Sequence, residues 1–472
     1  MSGFFGCISK KECVADVFYG TDYHSHLGTK RAGMSFYNGE IFVRSIHSLE
    51  SAYFRNKFEP ELHKFEGSKK GIGVISDTES QPITITSHLG IFSIVTVGRI
   101  DNVNEIAEYL LKEKINFAEF SGSTINSSEL VAILISRAES FEEGIRTVHN
   151  TIKGSCSFLI LTEDGLIAVR DKYGRMPVII GKNQDGYVAA TESSSFTNLD
   201  YMYVRDLGPG EAVMIKEDGI EQILAPGKKK QICSFMWVYY GYPSSYYEGI
   251  NVEAARYNCG GALARRDNLD GVDFVSGIPD SGLGHAIGYS NEKCIPYKRA
   301  FVKYTPTWPR SFMPQNQNMR DLVAKMKLIP NEALTRGSNI VFLDDSIVRG
   351  TQLKDNVVKL IEAGVKDVHI RIACPPLVYP CNFLNFSLSR SSFDLFTRRV
   401  IRDMEGTENF SEEVLKEYST PDTSRYNNMI EVIRKRIGVT TLKFMRLDDL
   451  VQAIGLPKED LCTHCWDNSS YF

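Results

Sequence analysis

The sequence predicts two domains in series: a β-rich layer with packed helices over residues 1–228, then an α/β domain with a parallel sheet over 229–472. Three observations carry this reading. The chain has 472 residues, more than a single hydrophobic core organises, which is roughly 250–300. Up to about residue 225, short apolar or alternating runs are separated by tight-turn signals. Past the Pro/Gly- and Lys-rich punctuation APGKKKQ at 225–231, the texture becomes helix and apolar strand in alternation.

In the first part, ITITSHLGIFSIVTVG, GSCSFLILTEDGLIAVRD and GEAVMIKEDG read as strands and hairpins. TEDG and KEDG place a glycine where a tight turn needs positive φ. NVNEIAEYLLKEK and SSELVAILISRA repeat apolar residues every three or four positions, the period of a helix packed on one face. In the second part, EAARYNCGGALARR, DFVSGIPDSG, NIVFLDDSIVRGT, LKDNVVKLIEAG and DVHIRIACPP alternate helix and strand, the pattern of a parallel sheet. The polar stretch from 388 to 425 reads as an irregular insertion, and NMIEVIRKRIG as a helix before a terminal Cys-x-x-Cys.

Composition narrows the class. Hydrophobic residues make up 43% and charged residues 24%, as in ordinary globular proteins. A net charge of −4 gives no bulk attraction to nucleic acid or an anionic membrane, so neither is expected as a partner. No apolar run approaches the ~20 residues of a spanning helix, and the N-terminus lacks the pattern of an export signal. Ten mostly isolated cysteines do not form a secreted disulfide framework, so a cytoplasmic location is expected. The pair Cys462 and Cys465 then reads as metal or cluster ligation, or as redox chemistry.

NIVFLDDSIVRGTQLKDNVVKLIEAG carries the strongest chemical signal. A buried strand ends at Asp344 and Asp345, and SIVRGT turns into a helix with Val357, Val358, Leu360 and Ile361 on its apolar face. Ligands of open α/β sheets bind beyond the strand carboxyl ends. A helix N-terminus offers free N–H groups and a positive dipole end to phosphate. Gly350 permits close backbone approach, and Ser346 and Thr351 add hydroxyls. The two carboxylates could hold a ribose diol, or Mg2+ through water.

VFLDDSIVRGT resembles the phosphoribosyl pyrophosphate (PRPP) motif of type I phosphoribosyltransferases, in the version found in the amidophosphoribosyltransferase family. SFMWVYYGYPSSYYEGINVEAAR, SGIPDSGLGHAIGYS, the RSF of WPRSFMPQ and VHIRIACPPLVYPC resemble that family in the same order. GSCSFLILTEDGLIAVRDKYGRMPVIIGK and YVRDLGPGE resemble its first half, so the likeness spans nearly the whole chain except about 388–425. It implies an α+β N-terminal-nucleophile-like αββα sandwich of the type 2 glutamine amidotransferase kind, followed by an α/β type I phosphoribosyltransferase domain. By the same likeness, Asp280, Ser281 and Gly282 would bind pyrophosphate, with Ser281, Asp344 and Asp345 holding Mg2+. Ser346, Ile347, Val348, Arg349, Gly350 and Thr351 would cradle the 5′-phosphate. Lys303 and Arg310 would flank a lid over the anomeric carbon. Between them YTPTWPRSF departs from the family: it is one residue longer and lacks the usual Arg and Tyr. Cys233, Cys381, Cys462 and Cys465 match all four ligand positions of the family's iron–sulfur branch, implying a structural [4Fe–4S] cluster. Cys374, Cys259, Cys294, Cys156 and Cys13 match none and are expected to be small buried residues.

The N-terminus departs from the family more deeply. Members begin, after processing, with a nucleophilic Cys in Cys-Gly-x-x-Gly; here SGFFG puts Ser2 in that place, and Cys7 lies five residues on, without an α-amine. Leu27 stands for an expected Arg in HSHLGTKRAGM, Ser76 for the Arg that clamps the glutamine carboxylate, Val97 for the oxyanion Asn, and Ser127 for the Asp that recognises the substrate amine. The resemblance thus implies a glutaminase fold without its chemistry. The expected function is transfer of ammonia or another amine to PRPP with loss of pyrophosphate, in purine nucleotide synthesis, by a homo-oligomer. Two competitors remain. One is a non-catalytic PRPP- or nucleotide-sensing paralogue that partners an active homologue, suggested by the altered lid. The other is a Ser-type amidohydrolase, which would require removal of Met1.

Overall fold

The computed structural model describes residues 2–121, 124–304, 328–384 and 391–471. Its first half is built on two stacked antiparallel sheets. One has seven strands in the order Met202–Asp206, Ile179–Lys182, Gly186–Ala190, Ser2–Ser9, Lys70–Ser76, Arg31–Tyr37 and Phe42–Ser48. The other has six, in the order Ile220–Leu224, Ala212–Ile215, Leu166–Val169, Gly154–Thr162, Gly90–Ile100 and Ile83–Ser87.

The strand Ser2–Ser9 is buried on both faces, which explains its apolar run FFGCI. A Cβ on Gly6 would come within 2.8 Å of Leu159 and Leu166 of the second sheet. On the opposite face, the ring of Phe5 fills the place where a Cβ on Gly20 would sit, against the helix Val14–Asp22. Helices Val103–Lys112, Ser127–Ser136 and Phe141–Thr151 cover the outside of the six-stranded sheet over a separate apolar core. The order is helix, sheet, sheet, helix: the αββα sandwich expected from the sequence.

No helix or strand occurs between Leu224 and Ile232. The second half is organised by a parallel sheet of four strands, Phe274–Gly277, Asn339–Asp344, Asp367–Ile372 and Thr441–Phe444, in that spatial order. Helices Val252–Arg265 and Leu283–Lys293 pack together so closely that a Cβ on Gly260 would come within 1.9 Å of the His285 carbonyl. The apolar core beneath this sheet is continuous with the one between the two antiparallel sheets. No described helix is long and apolar enough to cross a membrane.

Two expectations are corrected. Within 388–425 the described residues are ordered into a short 3-10 turn Ser392–Asp394 and helices Phe396–Glu405 and Glu412–Ser419. The segment reads as polar because each helix buries only one face, through Val400 and Ile401 in the first and Leu415 and Tyr418 in the second. Cys294, expected to be buried, is exposed at the left-handed C-terminal cap of Leu283–Lys293.

Candidate functional site

The strand Asn339–Asp344 delivers Asp344 to the carboxyl edge of the parallel sheet, and Asp345 follows it, 6% exposed. The Ser281 hydroxyl donates to Asp344 Oδ1 at 3.3 Å, and the Asp345 backbone N–H donates to the same oxygen at 3.0 Å. Burial, and then the neighbouring Asp345 carboxylate, push the Asp344 carboxyl well above its usual range. Two adjacent acids at a strand end, one of them strained toward protonation, are a place for a cation. Among the described residues no three His, Cys, Asp or Glu side chains close on a point that could hold a metal ion. An ion here would therefore complete its shell from the Ser281 hydroxyl, a bound substrate and water.

The loop holding Asp280, Ser281 and Gly282 lies against this strand end. The Ile278 N–H donates to the Leu343 carbonyl at 2.9 Å, and a Cβ on Gly282 would come within 2.2 Å of that same carbonyl. Lys303, from strand Phe301–Lys303, forms an ion pair with Asp280 across the mouth of the site. Arg310 and the lid residues 305–312 lie outside the described residues.

Residues 346–350 turn from the acidic pair into helix Thr351–Glu362, whose first residue is Thr351. Gly350 sits at φ +76°, and a Cβ there would also come within 2.8 Å of the Phe396 ring. Helix Phe396–Glu405 braces this loop from behind. The Phe396 N–H donates to the Val348 carbonyl at 2.7 Å, and Arg399 donates to the Arg349 carbonyl at 2.6 Å. Sequence reasoning missed this brace. Its signals were present in the Ser391/Asp394 capping box and in the helical spacing of Phe396, Val400, Ile401 and Met404.

A second cluster surrounds Ser2. The Ser2 hydroxyl donates to Ser76 Oγ at 3.1 Å, while Ser76 Oγ also accepts backbone N–H groups of Thr78 and Glu79, each at 3.2 Å. Leu27 is buried and packs beside the strand start: a Cβ on Gly3 would come within 2.7 Å of it. Val97 is buried, and the following Gly98 sits at φ +125° over the Ser155 carbonyl. The backbone N–H of Ser127 donates to Glu79 at 2.9 Å, and that of Ser128 at 3.2 Å. Glu79 thus occupies the N-terminus of helix Ser127–Ser136, a contact that spacing alone does not disclose. Burial lowers His24 to about 4, so its ring is neutral near pH 7, with Nδ1 2.7 Å from the Gly20 carbonyl oxygen. Nearby, the buried Glu192 accepts from His26 Nε2 at 3.0 Å, the Tyr247 hydroxyl at 2.8 Å and the Tyr242 N–H at 3.2 Å. It joins the His26 loop to the segment entering the second half.

The four cysteines singled out by sequence converge from three parts of the chain. Short parallel strands Ile232–Cys233 and Leu461–Cys462 set Cys233 beside Cys462. The Val378 and Tyr379 N–H groups donate to the Cys465 carbonyl, each at 3.1 Å, which draws the segment of Cys381 to the terminal pair. The Cys465 thiol hydrogen-bonds Cys381 and holds it down at about 7, with the Phe383 N–H also donating to Cys381 Sγ at 3.5 Å. Burial, then the neighbouring Cys462 and Cys381, push the Cys233 thiol up.

Residues 70–198 match the family of glutamine amidotransferase domains. The amidophosphoribosyltransferase of Methanocaldococcus jannaschii is 30% identical over 98% of this chain and 96% of that protein. That of Mycobacterium tuberculosis is 32% identical over 98% of this chain and 85% of its own length. The structure of the Bacillus subtilis glutamine PRPP amidotransferase, complexed with ADP and GMP, superposes with a TM-score of 0.84 at 28% identity, covering 99% of this chain and 97% of that one. Likeness of this extent, through both sheet systems, makes this chain a member of the amidophosphoribosyltransferase family.

Proposed function

We propose that this chain transfers the phosphoribosyl group of PRPP to ammonia or another amine, releasing pyrophosphate, in purine nucleotide synthesis, and that it does not hydrolyse glutamine. The observation that carries the first part is the paired Asp344 and Asp345 at the sheet edge, joined through Ser281 to the pyrophosphate loop. Held with Mg2+, these groups and the backbone of 346–351 would bind the phosphates at both ends of the substrate and orient the carbon between them. Position and charge stabilisation are the catalytic means such a site offers. Lys303, already at the mouth, supplies a cation to the departing pyrophosphate.

The second part rests on the cluster around Ser2. A hydroxyl replaces the thiol, Ser76 and Ser127 replace the charged partners of glutamine, and Leu27 and Val97 fill the remaining places with apolar side chains. The Glu79 carboxylate satisfies the helix N-terminus next to Ser127.

Cys233, Cys381, Cys462 and Cys465 fit a [4Fe–4S] cluster by their donor set: four thiols drawn together from three segments. Bound, the cluster would supply a covalent tie between the chain terminus and the junction of the two halves.

Pyrophosphate release from PRPP and Mg2+, measured with ammonia, glutamine and other amines in turn, tests the assignment. Turnover with ammonia and none with glutamine supports it; glutamine-dependent turnover overturns the second part. Tight PRPP binding without turnover by any amine selects the sensing paralogue, which the altered lid sequence between Lys303 and Arg310 favours.

A further inference from the structure

Arg175 belongs to the first half of the chain, six residues past strand Leu166–Val169, yet its guanidinium is fully buried, 0% exposed, at the cysteine cluster. Its position is built from every side. It stacks on the Phe383 ring with the guanidinium carbon 3.9 Å from the ring centroid. Nη2 donates to Gln231 Oε1 at 2.9 Å and lies 3.4 Å from Ser470 Oγ. The Arg175 carbonyl accepts the Cys233 N–H at 3.1 Å. Burial pushes the Cys462 thiol up, and the positive charge of Arg175 beside it opposes that rise.

Gln231, Phe383 and Ser470 lie close in sequence to Cys233, Cys381 and Cys465. One cation is therefore held by all three segments that bring the thiols together. Beside it, Phe235 stacks on Trp466 at 5.1 Å, and both are buried. A buried guanidinium is stabilised by negative charge placed beside it. Arg99 also reaches the cluster, donating to the Cys381 carbonyl at 3.0 Å, but it is partly exposed and paired with Asp101.

We propose that Arg175 is the charge-compensating residue of the iron–sulfur cluster, its buried guanidinium offsetting the thiolates across the junction of the two halves and setting the cluster's reduction potential. This rests on the cluster assignment made above. One-electron reduction makes a thiolate-ligated cluster more negative, so a fixed neighbouring cation favours the reduced form and raises the potential. A purely structural arginine, bonded only to Gln231 and Ser470, would leave the potential where it is.

The full-length protein, purified without oxygen, is assayed for iron and sulfide and titrated at an electrode, followed by electron paramagnetic resonance. Arg175→Gln keeps amide donors for Gln231 and Ser470 but removes the charge. The expected result is a cluster of wild-type iron content whose potential is more negative and whose visible absorption bleaches several-fold faster in air. Wild-type potential and bleaching rate in that variant overturn the inference while leaving the cluster assignment intact. Absence of iron and sulfide from the wild-type protein removes the assignment itself, and this inference with it. Should Arg175→Gln not fold, Arg175→Lys decides: it keeps the charge, so a cluster of wild-type potential supports compensation. A folded Arg175→Lys protein that keeps its cluster at a clearly more negative potential overturns it.

Discussion

Ser2 and Ser76 stand directly opposite one another on adjacent strands, and the Ser2 hydroxyl donates to Ser76 Oγ at 3.1 Å. On the proposed function, a nucleophile's place and a substrate clamp's place would be occupied by two small hydroxyls that satisfy each other. On that reading, restoring the thiol alone is not expected to restore the chemistry. We expect Ser2→Cys to form no more glutamate from glutamine than the wild type, measured by direct glutamate assay. Loss of a single oxyanion donor costs about 2.7–4 kcal/mol in enzymes that are otherwise intact, and on the proposed reading the ammonium and carboxylate partners would be absent too.

Glu79 acts in this structure as a cap. Its carboxylate takes the N–H groups of Ser127 and Ser128 and the Ser128 hydroxyl, at 2.9, 3.2 and 3.1 Å. Glu79→Ala is expected to destabilise the protein by about 0.5–2 kcal/mol, the usual cost of losing such a partner. Ammonia-dependent turnover should be unchanged. Thermal unfolding and pyrophosphate release check the two halves of this expectation.

Asp344 and Asp345 repel one another at a partly enclosed strand end, and a bound cation would relieve that repulsion. Asp344→Asn should therefore raise the thermal midpoint of the ligand-free protein while lowering PRPP turnover by about 100-fold or more. Unchanged turnover in this variant would remove Asp344 from the binding machinery.

Gly350 is required twice, by its φ of +76° and by the Phe396 ring behind it. Gly350→Ala should cost about 1–2 kcal/mol in backbone strain alone and displace the loop from the helix that braces it. The measurement is PRPP affinity by calorimetry, with at least about tenfold weakening expected.

Acid stability reports on Asp267. Burial alone would raise its carboxyl, but Arg371, with Tyr289 and Lys443, holds it down at about 2, below its ordinary 3.8. The folded state therefore binds this proton less readily than the unfolded chain. Its stabilisation is complete above about pH 4 and disappears as the pH falls toward 2. Asp267 and Arg371 are each 1% exposed, so Asp267→Asn leaves a buried guanidinium without its charge partner. A loss of about 3–5 kcal/mol at neutral pH is expected, with the acid slope between pH 4 and 2 flattened. Urea unfolding across that pH range checks both.

The sequence by itself determined the strand, turn and helix proposed to hold phosphate, and the order of the two sheet systems. Strand, acidic pair, Gly350 and helix follow one another within residues 339–362, so hydrophobic period and turn chemistry express the site directly. It also marked Ser2, Leu27, Ser76, Val97 and Ser127, because a changed residue in a matched segment is visible without coordinates. Only the tertiary structure decided what fills the altered places and what surrounds the cysteines. Glu79 caps a helix 48 residues further on, and Arg175 reaches a serine 295 residues away. Helix Phe396–Glu405 braces a loop about 50 residues before it. Contacts of this kind depend on which faces close against one another when the core forms, and chain order does not carry that information.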